Sequence, residues 1–290
     1  MGPLMSAILL ALLYLLSIFT QVEPPIDRNE QFTYLNAEYQ AALEVHATRN
    51  ESENPSEDER IKRYQSAPLQ KYVQKFAELA QANPEDETAF QCCQWIIAHC
   101  GIAGSSDKEL YVADSTAWEI IARYHDMHPD LPLLCLEAAR FPTAAREKFL
   151  RDLPEDWTQT VEVHGYAILG LAELLAKKYE AVLTNNPANW SDTQGEYENF
   201  VRAQASPEWK EYMSKSDAEE IRLESSELFQ DVLDHYADIS LITADSNLRG
   251  TETLGERANK SFQQLEKLRS ALEAPTMTEI EAKEKSLPGN

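Results

Sequence analysis

The chain has 290 residues, 43% of them hydrophobic, which is enough to bury one sizeable core or two smaller ones. It carries 49 acidic against 26 basic residues, a formal net charge of −23, so polyphosphate backbones repel it and nucleic-acid binding is disfavoured. Glycine is scarce and alternating runs of Val, Ile and Thr are hard to find, which favours an all-α fold over one built on sheets.

An apolar run, residues 4–19, lies at the start of the chain. Its length fits the core of a signal peptide and falls short of the ~20 residues that cross a bilayer comfortably. No Lys or Arg precedes the run and no A-x-A cleavage site follows it. We therefore expect residues 1–22 to be a cleaved signal peptide or a retained membrane anchor, with a buried helix of a cytosolic protein as the alternative. The expected location is extracytoplasmic, periplasmic or secreted, with membrane contact only through residues 4–19 if they are retained.

Helical periodicity recurs along residues 30–274, which are expected to form one helical domain. Apolar residues at three- and four-residue steps predict helices at 32–48, 69–80, 89–100, 131–140 and 143–153. The acidic, polar stretch 49–60 is predicted to be a loop. A further helix is expected to start at a capping box, Ser106-x-x-Glu109. Short links between the helices imply antiparallel neighbours.

The most apolar helix is predicted at 157–183 and should be covered on more than one side, as a central helix. Gly165 and Gly170 lie inside it, and each costs up to about 1 kcal/mol in a helix interior. Close approach by a neighbouring helix is the expected compensation. His164 lies on the apolar face and is most simply a core histidine whose ring nitrogens are hydrogen-bonded.

The composition changes at residues 185–216, which are rich in Asn, Ser and acidic residues. This segment is predicted to be an insertion or elaborated loop with two short helices. Its aromatic residues form either a recognition surface or satellite packing; they are Trp190, Tyr197, Phe200, Trp209 and Tyr212. Capping boxes at Ser216-x-x-Glu219 and Thr253-x-x-Glu256 predict two further helices. Residues 275–290 are predicted to be a disordered polar tail. The paired helices resemble a tetratricopeptide-like (TPR-like) or other α-solenoid layout without a strict repeat signature.

Few residues of the sequence suggest a catalytic or metal-binding site. His125 and His128 are spaced to share a metal, but the sequence offers no matching third ligand, and a helix C-terminus stabilises histidine in any case. Phosphate-binding and nucleophile-elbow motifs of the G-x-x-x-x-G-K, G-x-G-x-x-G and G-x-S-x-G types do not occur. We therefore predict no catalytic, cofactor-binding or metal-ligating residue.

Four cysteines occur, and none forms a C-x-x-C pair. Cys92, Cys93 and Cys100 fall within one predicted helix, where they are expected to act as small buried hydrophobic residues. A disulfide from Cys135 to one of the other three is open only in an oxidising compartment.

Three segments carry a family resemblance: VEVHGYAILGLAELL (161–175), ELFQDVLDHYAD (227–238) and TLGERA (253–258). Together they resemble the helical N-terminal region of secreted thioredoxin-like (TlpA-type) redox proteins, especially those of planctomycete bacteria, over about residues 30–272. In that family a thioredoxin domain with its C-x-x-C motif follows the last helix, and this chain shows no such motif. The resemblance therefore implies an exported, all-helical module that presents or docks partners, and it carries over no catalytic residue.

Three functions remain open. The first is a non-catalytic, extracytoplasmic helical interaction or scaffold module with protein partners, which can include a thioredoxin-like protein. The second is an accessory protein in thiol–disulfide redox chemistry that works with a separate thioredoxin-like partner. The third is a small-ligand-binding helical protein or hydrolase with a cleft near residues 190–212.

Overall fold

The computed structural model describes residues 27–49, 55–100, 107–155, 159–184, 206–242 and 249–273. Its helices, in chain order, are α1 (Arg28–Arg49), α2 (Glu57–Gln65), α3 (Leu69–Ala82), α4 (Glu87–Cys100), α5 (Lys108–Tyr124), α6 (Leu131–Ala138), α7 (Ala144–Glu155), α8 (Val161–Thr184), α9 (Pro207–Ser214), α10 (Ala218–His235) and α11 (Leu254–Glu273). Two short antiparallel strands, β1 (Ser240–Ile242) and β2 (Arg249–Thr253), separate α10 from α11. The prediction of an all-α protein is confirmed.

Helix α8 is the centre of the fold. It packs most extensively against α10 and also contacts α6, α7 and α11. Tyr166, Leu169 and Leu174 on this helix have no exposed surface, so it is covered on more than one side, as its apolar sequence predicts. Its first turn begins at Val161, and the predicted start at 157 lies outside the described residues. His164, predicted to be a core histidine, is only half-buried.

Both glycines of α8 lie where a neighbour comes close. A Cβ atom at Gly170 would lie 2.6 Å from the backbone oxygen of Cys135 on α6 and 2.9 Å from Cδ2 of Leu150 on α7. At Gly165 it would lie 3.0 Å from Cδ1 of both Leu254 and Tyr236. The expected close approach is therefore confirmed, by the α6 backbone at one glycine and by side chains at the other.

The strand pair was not predicted, because three residues with one buried side chain give almost no alternation to detect. Its register pairs Ser240 with Thr253 and Ile242 with Arg249, with an irregularity between them. The hydroxyl of Tyr166 on α8 donates to the Ser240 oxygen at 3.0 Å and accepts from the Ile242 nitrogen at 2.5 Å. The hairpin is thus tied to the central helix through a buried tyrosine.

Two predicted capping boxes are wrong by one residue. The N-cap of α5 is Asp107, whose side chain accepts from the nitrogens of Glu109 and Leu110, and the N-cap of α10 is Asp217. In both places the aspartate next to the predicted serine is extended and receives two backbone N–H groups, which is a stronger cap than one hydroxyl provides. The box at Thr253 and Glu256 is confirmed, with reciprocal bonds of 3.2 and 3.1 Å.

The predicted loop at 49–60 is wrong in its second part. Helix α2 begins at Glu57, and Ser56 and Glu59 form a capping box. This helix has no buried residue, so apolar periodicity could not reveal it. Residues 50–54 lie outside the described part of the chain.

Several predictions fall on residues that the structure does not describe: the apolar run 4–19 within 1–22, most of the 185–216 segment, and the tail 275–290. From the 185–216 segment only 206–216 is described, and it holds the single helix α9. Among the described helices, none is both long and apolar enough to cross a membrane.

Candidate functional site

His125 and His128, the two histidines spaced to share a metal, stabilise the turn between α5 and α6. Nε2 of His125 lies 2.8 Å from the Pro84 oxygen, and the His128 ring stacks on Phe90 with centroids 3.5 Å apart. Nδ1 of His128 accepts from the Asp130 nitrogen at 3.2 Å. Within the described residues, no group of three or more His, Cys, Asp or Glu side chains is placed to hold a metal ion.

All four cysteines are buried, free thiols. Burial raises the pKa of Cys92 to about 12 and raises those of Cys93, Cys100 and Cys135 further. Since the thiolate is the reactive form, these side chains are protonated and inert at neutral pH. They act as packing residues, and the disulfide left open for Cys135 is not formed.

The aromatic residues of α9 pack against the body of the protein. Nε1 of Trp209 donates to the Pro142 oxygen at 3.0 Å, and the Tyr212 hydroxyl donates to Oε2 of Glu147 on α7. Lys178 of α8 lies over the Tyr212 ring, 3.9 Å from its centroid. For these two residues the satellite-packing interpretation is therefore correct, whereas Trp190, Tyr197 and Phe200 lie outside the described residues.

Glu147 is the centre of the network that holds α9. Burial raises the pKa of this carboxylate, but hydrogen bonds from Tyr212, Lys178 and Arg151 outweigh it and leave the pKa below the ordinary value of 4.5. The lowered pKa means that ionised Glu147 stabilises the fold above about pH 4.5, and that this contribution is lost as the pH falls through the lowered value.

We expect Glu147→Gln to lower the free energy of unfolding at about pH 7 by about 1–3 kcal/mol, because Lys178 then lies buried without its carboxylate. The matched control is Glu211→Gln on α9, which removes an exposed ion pair with Lys215. Urea denaturation between about pH 7 and pH 3 should show the Glu147→Gln deficit shrinking on the acid side. A deficit that is the same at every pH would contradict this role.

Two neighbouring cavities share Glu252 and Arg257 in their linings. The first cavity, which we call the hairpin groove, has a volume of about 690 Å³ and lies between α4, α6 and the strand pair. Its lining is mainly apolar and includes Ile97, Leu133, Leu136, Leu241 and Ile242, with Glu137 and Arg140 at the edge. Both strands therefore contribute residues to this groove.

The second cavity, which we call the charged cleft, has a volume of about 590 Å³ and lies between α8 and α11. Its charged lining is balanced, with three basic and three acidic side chains: Lys177, Arg257, Lys260, Glu173, Glu180 and Glu252. Because Glu252 and Arg257 line both cavities, the charged cleft adjoins the hairpin groove at these two residues.

Most charges in these cavities are paired. Arg257 holds Glu173 with two hydrogen bonds of 2.8 Å, and the Ser261 hydroxyl donates to the same carboxylate at 2.9 Å. The hydrogen bonds that Arg257 donates to Glu173 outweigh burial and raise the pKa of Arg257. Lys260 pairs with Glu252, and Arg140 pairs with Glu137 at 3.0 Å.

Lys177 is the exception. Its Nζ donates to the Ala139 oxygen at 2.8 Å, and among the described residues it has no carboxylate within ion-pair distance. The residue is exposed as a whole, yet burial around its ammonium lowers the pKa, against the opposing effect of Glu173. Arg257 and Arg140 lower it further and Glu137 raises it, so three cations and two carboxylates lie where the two cavities join.

A third concavity lies between α5 and α7. Trp118 and Phe149 line it together with an ion pair between Lys148 and Asp152, and its volume is about 570 Å³. Nε1 of Trp118 has no hydrogen-bond partner, but it is buried and offers no surface to the cavity.

Comparison of the chain with models of protein families, with curated proteins and with solved structures found no match. Sequence reasoning did not single out Lys177, Arg140 or Arg257. The i,i+4 spacing of Glu173 and Lys177 places both on one face of α8, which is the only signal that pointed to the cleft. Arg140 belongs to the segment after α6, and its approach to Lys177 follows from the packing of α6 on α8.

Proposed function

We propose that this chain is a non-catalytic helical interaction module that acts outside the cytoplasm, and that it binds an apolar segment of a protein partner in the hairpin groove. The observation that carries the proposal is the apolar floor of that groove. Ile97 and Leu241 are buried beneath it, while Leu133 and Leu136 are half-buried and remain partly open to solvent. An apolar centre with a charged edge is the usual anatomy of a protein-binding patch.

The helix arrangement supports an interaction role. We propose that α3, α4 and α5 belong to a TPR-like succession of antiparallel hairpins, because each contacts the others in turn. Helix α8, which is contacted by five other helices, would close this succession. Stacked hairpins of this kind form extended surfaces for partner segments.

The sequence supports the proposed location and partner. The apolar run 4–19 supports export, either with cleavage or with retention as an anchor. The net charge of −23 disfavours nucleic acid as a partner. Because of the family resemblance, a thioredoxin-like protein is the first candidate partner, although the buried thiols give the redox-accessory alternative no reactive group on this chain.

The proposal can be tested with a pool of synthetic hexapeptides in which the last three residues are randomised. Half of the pool carries a free C-terminal carboxylate and half carries an amide. The pool is incubated with wild type and with Leu136→Asp and Leu223→Asp, whose folding is checked by circular dichroism, and retained peptides are identified by mass spectrometry. Leu223 is the matched control, because it is 47% exposed on α10 and does not line the groove.

We expect wild type and Leu223→Asp to retain peptides with apolar residues, and Leu136→Asp to retain about tenfold fewer, since a charge placed on the apolar floor opposes burial of the peptide. A pool retained without apolar enrichment, or retained equally by Leu136→Asp, would contradict the proposal.

The alternative of a small-ligand site has support in the cavity volume of about 690 Å³, which lies within the range typical of such sites.

A further inference from the structure

One wall of the hairpin groove is formed by the strand pair, through Leu241 and Ile242 of β1 and Glu252 of β2. Most of the remaining lining belongs to α4 and α6, and α6 packs directly on the central helix α8. The principal neighbour of β1 is β2, and a pair of short strands has little stability by itself. The position of the hairpin, and with it the shape of the groove, therefore depends on what ties β1 to the rest of the protein.

The outer edge of β1 is bonded to a single side chain. On the inner edge, the Ile239 oxygen accepts from the Leu254 nitrogen at 2.8 Å, and the backbone groups of successive residues face alternate edges of a strand. The Ser240 oxygen and the Ile242 nitrogen face away from β2, and both bond to the Tyr166 hydroxyl, at 3.0 and 2.5 Å. One residue of a parallel neighbouring strand would form the same two bonds, so this hydroxyl takes the place of a third strand.

Tyr166 is itself held firmly in place. It belongs to α8, has no exposed surface, and lies in a helix that neighbours cover on several sides. Burial raises the pKa of its hydroxyl above the ordinary value of 10, against the opposing effect of the bond from the Ile242 nitrogen. The hydroxyl is therefore protonated at neutral pH and available as the donor to Ser240.

We propose that Tyr166 is the positioning residue of the hairpin groove, because its hydroxyl holds β1 in the place where Leu241 and Ile242 contact the apolar segment of the partner. This inference rests on the proposed function and adds how the groove keeps its shape. The bound segment and the Tyr166 hydroxyl stabilise the same position of β1, so each strengthens the other. Binding thus depends on a buried hydroxyl that does not itself line the groove.

The variant Tyr166→Phe isolates this role. It keeps the ring in the core and leaves the Ser240 oxygen and the Ile242 nitrogen without their partner. Such a loss also lowers the free energy of unfolding, so a control for stability is needed. Ser225→Ala is that control, because it removes a buried hydroxyl that donates to the Ala172 oxygen of α8 at 2.9 Å, and neither residue lines the groove.

The experiment uses the full chain as wild type, Tyr166→Phe and Ser225→Ala, under conditions in which circular dichroism shows all three to be folded. It measures retention of the hexapeptide pool and, by mass spectrometry, hydrogen exchange in β1 and in α8. We expect β1 to exchange about tenfold faster in Tyr166→Phe, because unpaired backbone groups shift the local opening equilibrium by roughly that factor. Retention of apolar peptides should fall about tenfold with it, whereas Ser225→Ala should keep both quantities at their wild-type values.

Faster exchange of β1 in Tyr166→Phe with unchanged peptide retention would overturn this inference and leave the proposed function intact. Unchanged exchange of β1 would also overturn it, because the hydroxyl then does not hold the strand. An equal loss of retention in Ser225→Ala would assign the effect to general stability instead of hairpin position, and would overturn the inference as well. Absence of any retention by wild type that is sensitive to Leu136→Asp would overturn both the inference and the proposed function.

Discussion

Arg146→Met should lower the free energy of unfolding by about 3–5 kcal/mol, the largest effect expected for a single substitution in this chain. The guanidinium of Arg146 on α7 binds Asp114 on α5 with two hydrogen bonds, 3.0 Å from Nε and 2.6 Å from Nη2. The two side chains are only 1% and 3% exposed. Removing the arginine leaves the Asp114 carboxylate buried without an opposite charge, and that uncompensated charge is the source of the loss.

Two further variants separate this explanation from a simple loss of packing. The double variant Arg146→Met/Asp114→Leu removes both charges and should recover much of the lost stability, because no buried charge is left. Lys148→Met breaks an ion pair with Asp152 whose side chains are 74% and 52% exposed, and it should cost no more than about 1 kcal/mol. Urea denaturation measures all three. A double variant less stable than Arg146→Met would contradict the electrostatic explanation.

Gly170→Ala should lower the free energy of unfolding by about 1–3 kcal/mol through overpacking. The added Cβ would lie 2.6 Å from the backbone oxygen of Cys135, so helices α6 and α8 must move apart. A longer side chain such as that of Gly170→Leu should be at least as harmful. Helix propensity alone predicts the opposite sign, because alanine is favoured over glycine in a helix by about 1 kcal/mol.

Gly165→Ala is the matched control on the same helix. Its Cβ would meet the ends of Leu254 and Tyr236 side chains at 3.0 Å, and such side chains can shift by a few tenths of an ångström. The gain in propensity then offsets the crowding, so stability should stay within about 1 kcal/mol of wild type. Thermal or urea unfolding of the two variants checks the contrast. Equal effects at both glycines would show that α6 does not hold its position against α8.

The central part of the fold could be predicted because its signals are local. The apolar stripe of α8 and the two glycines inside it are readable from the helical period alone, and the structure places α8 at the centre with close neighbours at both glycines. The helix starts were predicted less well, since Asp107 and Asp217 each stand next to a serine that fits the same capping pattern.

The hairpin and the groove depend on contacts between distant parts of the chain. Strand β1 is held by the Tyr166 hydroxyl, 74 residues away from Ser240 in sequence, so no local pattern reveals it. Likewise, Lys177 and Arg140 become neighbours only when α6 packs on α8. Ligand and nucleophile motifs do not cover this site, because its lining consists of ordinary apolar and charged side chains.

The interaction function is tested most directly by retention of the hexapeptide pool on wild type, Leu136→Asp and Leu223→Asp under identical conditions. If the hairpin groove is the binding surface, wild type and Leu223→Asp retain the same apolar peptides, and Leu136→Asp loses about tenfold of that retention while remaining folded. Equal retention by all three proteins would contradict the groove as the binding surface.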